Sequence, residues 1–122
     1  MLARQIDGRR FVTVGNPHGR SGAETVFTYA VDGHGAVTGS YAGGEIRAGR
    51  LVGRIAGEDR VELLFQCVTS GGDLLAGESR GVVSRGGDGL LRLDFEWSWL
   101  SGDEGGGTSS YVEVPTPAGG PG

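Results

Sequence analysis

The clearest signal in the chain is a strict alternation near its C-terminal end. Leu91, Leu93, Phe95, Trp97 and Trp99 occupy every second place, and Arg92, Asp94, Glu96 and Ser98 stand between them. A two-residue period puts alternate side chains on opposite faces of a strand, here one buried and one wet. Residues 60–69 repeat the pattern less cleanly. Val61, Leu63, Phe65, Cys67 and Thr69 share one face, with Glu62, Leu64, Gln66 and Val68 on the other. Phe27, Tyr29 and Val31 fall together within 25–31, as do Val37, Gly39 and Tyr41 within 36–41. Further β-type runs are predicted at 9–14, 45–48, 50–55, 74–83 and 108–114. No segment carries a helical period. Short runs punctuated by glycine-rich turns are the pattern of an all-β domain. Consecutive strands joined by tight turns predict an antiparallel meander of eight or nine strands. Closing it into an up-and-down barrel removes both exposed edges.

Composition sharpens this. Glycine fills 26 of 122 positions, about three times the usual share of about 7 %. It has no collagen period, and glycine at this density opposes helices. Most glycines mark turns. Gly39, Gly53, Gly77 and Gly81 instead fall inside strand runs, where glycine marks a bend, a bulge or a close approach. Residues 9–114 are expected to form one barrel domain. Residues 1–8 read as a lead-in and 115–122 as a disordered Pro/Gly tail. GGEIRAG at 43–49 echoes GGDLLAG at 71–77, as two similar turns feeding strands do.

Charge and cysteine content narrow the function. The net charge is −4, and all 11 basic residues are Arg, scattered rather than clustered. Nucleic acid and anionic lipid both need several cations on one face, so neither is an expected partner. No apolar run approaches the roughly 20 residues of a membrane span. The single Cys67 and the lack of an N-terminal apolar leader point to a reducing, cytoplasmic location. Without Lys there is neither a phosphate-loop lysine nor a Schiff base.

Few side chains suit catalysis. His18 and His34 lie in glycine-rich turns without the three or four converging ligands of a metal site. Cys67 sits among apolar residues with no basic partner nearby, so it reads as a small buried hydrophobe. The turn at 102–107, with Asp103 and Glu104, lacks the spaced oxygens of a calcium loop. No metal and no cofactor are expected. The strongest candidate site is aromatic. Phe27, Tyr29, Tyr41, Phe65, Phe95, Trp97 and Trp99 are predicted to share one interior. Cys67, Thr69 and Ser79 add a few polar groups to it, as in a ligand pocket.

Two segments carry a resemblance: YAGGEIRAGRLVG at 41–53 and WSWLSGD at 97–103. They resemble small uncharacterised bacterial barrels of calycin-like type, akin to lipocalins, fatty-acid-binding proteins and avidins. The resemblance spans residues 24–114 and implies a calycin-like barrel. Some of these proteins carry the label N-acetylglutamate synthase. Acetyl transfer of that kind uses an α/β fold with a pyrophosphate-binding turn before a helix, and no such helix is readable here. The relatives' pattern has Tyr-Gln-His where this chain has Phe65-Gln66-Cys67, Glu in place of Phe95 and Cys near Ser79. These differences imply a more apolar interior, lacking an acid and a His that the relatives carry.

Binding of a small, largely apolar molecule is therefore the expected function. Phe27, Tyr29, Tyr41, Phe65, Cys67, Ser79, Phe95, Trp97 and Trp99 are expected to line the site, with Tyr29, Tyr41 and Gln66 orienting the ligand. A cyclase or isomerase of a natural-product pathway, working by substrate preorganisation, is the enzymatic alternative. A homodimeric interaction module is the third reading. Its patch would be Leu64, Val68, Leu90 and Leu100 on the outer face.

Overall fold

The computed structural model describes residues 2–17 and 19–115; the expected tail beyond Pro115 lies outside them. Eight strands follow one another: β1 (Arg10–Gly15), β2 (Val26–Val31), β3 (Ala36–Gly43), β4 (Ile46–Ile55), β5 (Arg60–Thr69), β6 (Leu74–Arg85), β7 (Leu91–Ser101) and β8 (Gly106–Val114). Each pairs antiparallel with the next, and β8 returns to β1 through pairs such as Val12 with Val112. The result is a closed up-and-down barrel without a free edge.

The alternation at β7 holds. Leu91, Leu93, Phe95 and Trp97 are buried, Trp99 is half-buried, and Asp94 and Glu96 are exposed. Most strand ends shift by one or two residues, and one predicted division is absent. The runs at 45–48 and 50–55 are a single strand, β4, so the barrel has eight strands. Gly49, which lies between the two predicted runs, is an inward position of that strand, paired with Tyr41. The ladder shifts register between Ile46 and Ala48, which supplies local bending.

The N-terminal lead-in is structured. Leu2–Ile6 form a 3-10 helix with Ala3 and Ile6 fully buried. It is tied to the turns at one end of the barrel. The Ala3 amide donates to the Glu58 carbonyl, and the Gly8 amide to that of Tyr29. Arg4 Nη1 donates to the Asp32 carbonyl at 3.1 Å. This end is closed, and Phe11, Val61, Val83, Leu91 and Leu93 form its dry core. Glu113 is buried here and accepts from the Leu91 amide at 3.0 Å and from Arg9. The opposite end is bounded by the longer β1–β2 loop and by the β3–β4, β5–β6 and β7–β8 turns.

The outer-face patch expected from sequence does not form. Leu64 and Leu100 are 59 % and 57 % exposed, but Val68 and Leu90 are half-buried. Leu90 immediately precedes β7, and Leu100 is its penultimate residue. At about 3.4 Å per residue they stand at opposite ends of the barrel.

Candidate functional site

A cavity opens inside the barrel toward the loop end. All nine residues expected at the site line it: Phe27, Tyr29, Tyr41, Phe65, Cys67, Ser79, Phe95, Trp97 and Trp99. They come from β2, β3, β5, β6 and β7, and each points inward by the period of its strand. The space open to the centre of a water-sized sphere is about 60 Å³. One water needs about 10–15 Å³ on that measure. The interior is thus neither filled by side chains nor wide.

The rings interlock. Phe27 stacks on Tyr41 with centroids 4.7 Å apart and meets Tyr111 edge-on at 4.9 Å. Trp97 and Trp99 meet at 5.1 Å, and Phe65 lies 5.8 Å from Trp99. Phe65 and Trp99 are only half-buried, which places them toward solvent. Glycines make room for these rings on the neighbouring strands. Gly49 lies under Tyr41, Gly77 under Phe65 and Gly81 beside Phe95, each its partner in the ladder.

Two expected groups are elsewhere. Gln66 is exposed, because it belongs to the outward set of β5. Thr69 is buried but closes the β5–β6 turn, accepting from the Asp73 amide at 3.0 Å. Other lining residues had no place in the sequence expectation. Ser109 and Tyr111 belong to the inward set of β8 with Glu113, but the outward Val112 and Val114 are the more apolar, so strand period alone does not reveal them. Asn16, Arg20 and Ser21 come from the β1–β2 loop, where no period exists to read.

The loop is pinned by its own side chains. Asn16 Nδ2 donates to Ser21 Oγ at 2.9 Å, and Thr13 Oγ1 donates to the same oxygen at 3.1 Å. Thr25 Oγ1 accepts from the Gly22 amide and donates to the Gly43 carbonyl. At the mouth, Arg20 Nη2 reaches Asp103 Oδ2 at 3.1 Å, and Nη1 reaches Glu45 Oε1 at 3.6 Å. One guanidinium thereby links three loops. The hydrogen bond to Asp103 raises its already high pKa.

Polar chemistry inside is neutral. Burial pushes the Tyr41 hydroxyl and the Cys67 thiol up, so both stay protonated at neutral pH. Burial likewise raises Tyr29 and Tyr111, and Tyr111 donates to Ser109 Oγ at 2.9 Å. Three buried polar atoms have no hydrogen-bond partner among the described residues: Asn16 Oδ1, Tyr41 Oη and Trp97 Nε1. All three belong to residues lining the cavity. The Cys67 thiol lies near enough to perturb the Tyr41 hydroxyl without completing a bond to it. His34 is exposed in the β2–β3 turn, and His18 lies outside the described residues.

A closed antiparallel barrel of eight strands, with one aromatic cavity open at one end, is an architecture able to hold one small ligand. The chain belongs to the avidin-like protein family, whose profile matches residues 4–114. No curated protein matches it. No helix among the described residues is long and apolar enough to cross a membrane.

Proposed function

We propose that this protein binds a small, largely apolar molecule carrying a compact neutral polar head, held within the barrel. The observation that supports this most directly is the set of unpartnered atoms. An unsatisfied buried polar group costs about 1–3 kcal/mol. Asn16, Tyr41 and Trp97 leave three of them around one cavity. A ligand that accepts from the Trp97 indole N–H and pairs with Tyr41 and Asn16 recovers those costs. Aromatic walls bury its apolar remainder. Phe27, Tyr29, Phe65, Phe95 and Trp99 supply contact area, and Ser79 and Cys67 supply weak polar contacts. A charged head is disfavoured, because the nearest lining cation, Arg20, is already engaged by Asp103 and Glu45.

The size of the cavity supports binding over cyclisation. About 60 Å³ accommodates a few ligand atoms beyond the mouth rather than a folded polyketide or terpenoid chain. One cysteine, kept protonated, fits a cytoplasmic setting. Native mass spectrometry of freshly purified protein, paired with tryptophan fluorescence before and after mild denaturation and refolding, tests the proposal. A co-purified mass that leaves on unfolding and changes the emission is expected. Apo protein from several hosts, with emission unmoved by a library of small neutral compounds, would refute it.

A further inference from the structure

The loops at the open end of the barrel carry a one-sided charge. Glu24, Glu45, Asp73, Asp103 and Glu104 lie in them, against Arg20 and, in the adjoining bulge of β4, Arg47. Five carboxylates against two guanidiniums leave −3 here among the described residues, of a formal −4 for the whole chain. Asp103 and Glu45 hold Arg20, and Asp73 adds to the field at its guanidinium. Glu24, Asp73 and Glu104 are exposed and enter no ion pair among the described residues. The rim is therefore negative at neutral pH. Beneath it lie two groups that call for a ligand. Tyr41 Oη and Trp97 Nε1 lack partners, and their residues, 5 % and 8 % exposed, form part of the cavity wall. Phe65 and Trp99 line the same cavity nearer to solvent, half-buried, with ring centroids 5.8 Å apart.

We infer that the molecule held in this barrel is a small amine: its neutral head and apolar body lie inside, its ammonium group stays between the loops, and carboxylates of the same shape are excluded. This rests on the binding reading above and adds the charge of the ligand's outer end. The cavity takes only a few ligand atoms beyond the mouth, so the rest of a bound molecule lies at the rim. A cation there is attracted by the carboxylates. It also keeps much of its hydration and so escapes the desolvation that burial would cost. The faces of Trp99 and Phe65 add cation–π attraction on the solvent side of the cavity. A carboxylate in the same place meets like charges, and Arg20, the cation that lines the cavity, is already engaged. The rim thus discriminates by repulsion as well as by attraction.

Cys67 reports on the mouth, because it belongs to the cavity wall. The test is the rate at which 2-aminoethyl, ethyl and 2-carboxyethyl methanethiosulfonate label it at low salt and about neutral pH, each divided by its rate with 2-mercaptoethanol. The amine reagent is expected to outpace the carboxylate by at least about tenfold, with the neutral reagent between them, and the spread to collapse at about 0.5 M salt. The double variant D73K/E104K reverses two rim charges without removing either Arg20 ion pair, and is expected to abolish that order. Circular dichroism confirms that it is folded; if it is not, E24K/E104K makes the same test. Any molecule released from the purified protein is expected to carry a basic nitrogen. Equal rates, a faster carboxylate reagent, or folded protein that none of the three labels overturns the inference. So does an order that survives the charge reversals, or a released carboxylic acid. The labelling rates need no bound ligand, so failure of the binding reading and failure of this one are read separately.

Discussion

A single methyl group added to Gly49 would stand 2.5 Å from Cε2 and Cζ of Tyr41. The ring of Tyr41 lies flat over a backbone position that has no side chain to hold it off. Both its hydroxyl and its stacking partner Phe27 are thereby fixed in the cavity wall. The same relation joins Phe65 to Gly77 and Phe95 to Gly81, so the width of the cavity depends on glycines facing rings across the ladder.

Gly49→Ala is therefore expected to destabilise the fold by about 1–3 kcal/mol, the usual cost of overpacking. The displaced Tyr41 ring has the cavity to move into, so ligand binding is expected to fall further than stability does. Urea denaturation and ligand titration, run on the same variant, separate the two effects.

Tyr41→Phe is expected to act in opposite directions on stability and binding. It removes a buried hydroxyl that lacks a partner in the empty protein. The ligand-free fold is expected to gain up to about 1–3 kcal/mol, while affinity for the cognate ligand declines. Equal losses in both would mean that the hydroxyl is satisfied within the protein and has no role in recognition.

The Cys67 thiol is buried and its pKa is raised above the ordinary 9.0 by desolvation. Thiolate is the reactive form. Reaction with a disulfide reagent is expected to be slow at pH 8, to accelerate only above about pH 9, and to slow again when the cavity is filled. Rapid labelling at neutral pH, insensitive to ligand, would place the thiol outside the cavity.

Arg20 bridges the mouth through Asp103 and Glu45. Arg20→Gln is expected to change global stability by less than about 1 kcal/mol, as partly exposed pairs do. Untying three loops is expected to speed ligand exchange, and high salt should reproduce this in the wild type. Stopped-flow fluorescence after mixing with competitor reads the rate.

Burial alone would raise Glu113, but the Leu91 amide and the Arg9 guanidinium outweigh it and hold its carboxyl below the ordinary 4.5. A carboxylate depressed on folding contributes stability that is present above its unfolded pKa and lost as pH falls through its folded pKa. Acid unfolding below about pH 4.5 is expected to be shallower in Glu113→Gln, which loses that stability at neutral pH instead. Identical acid limbs by circular dichroism would remove Glu113 from the account.

Much of this protein follows from local patterning. Strand period is a property of the chain itself, so Leu91, Leu93, Phe95 and Trp97 declare their common face without knowledge of any neighbour. The same reasoning marks the inward positions of β2, β3 and β5 and predicts a closed meander. Loop residues obey no period, which is why Asn16 and Ser21 carried no signal. The 3-10 helix at Leu2–Ile6 is likewise too short for one, and its burial depends on the distant β2–β3 and β4–β5 turns.

What the tertiary structure alone decided is how those faces meet. Gly49 lies between two predicted runs, and glycine is a poor strand former in isolation. The ladder register sets it opposite Tyr41, where only the lack of a side chain lets the ring lie down. The volume left inside is a difference between the barrel's capacity and the sum of its inward side chains. That difference, like the gathering of carboxylates at the mouth, belongs to the closed barrel rather than to any one strand.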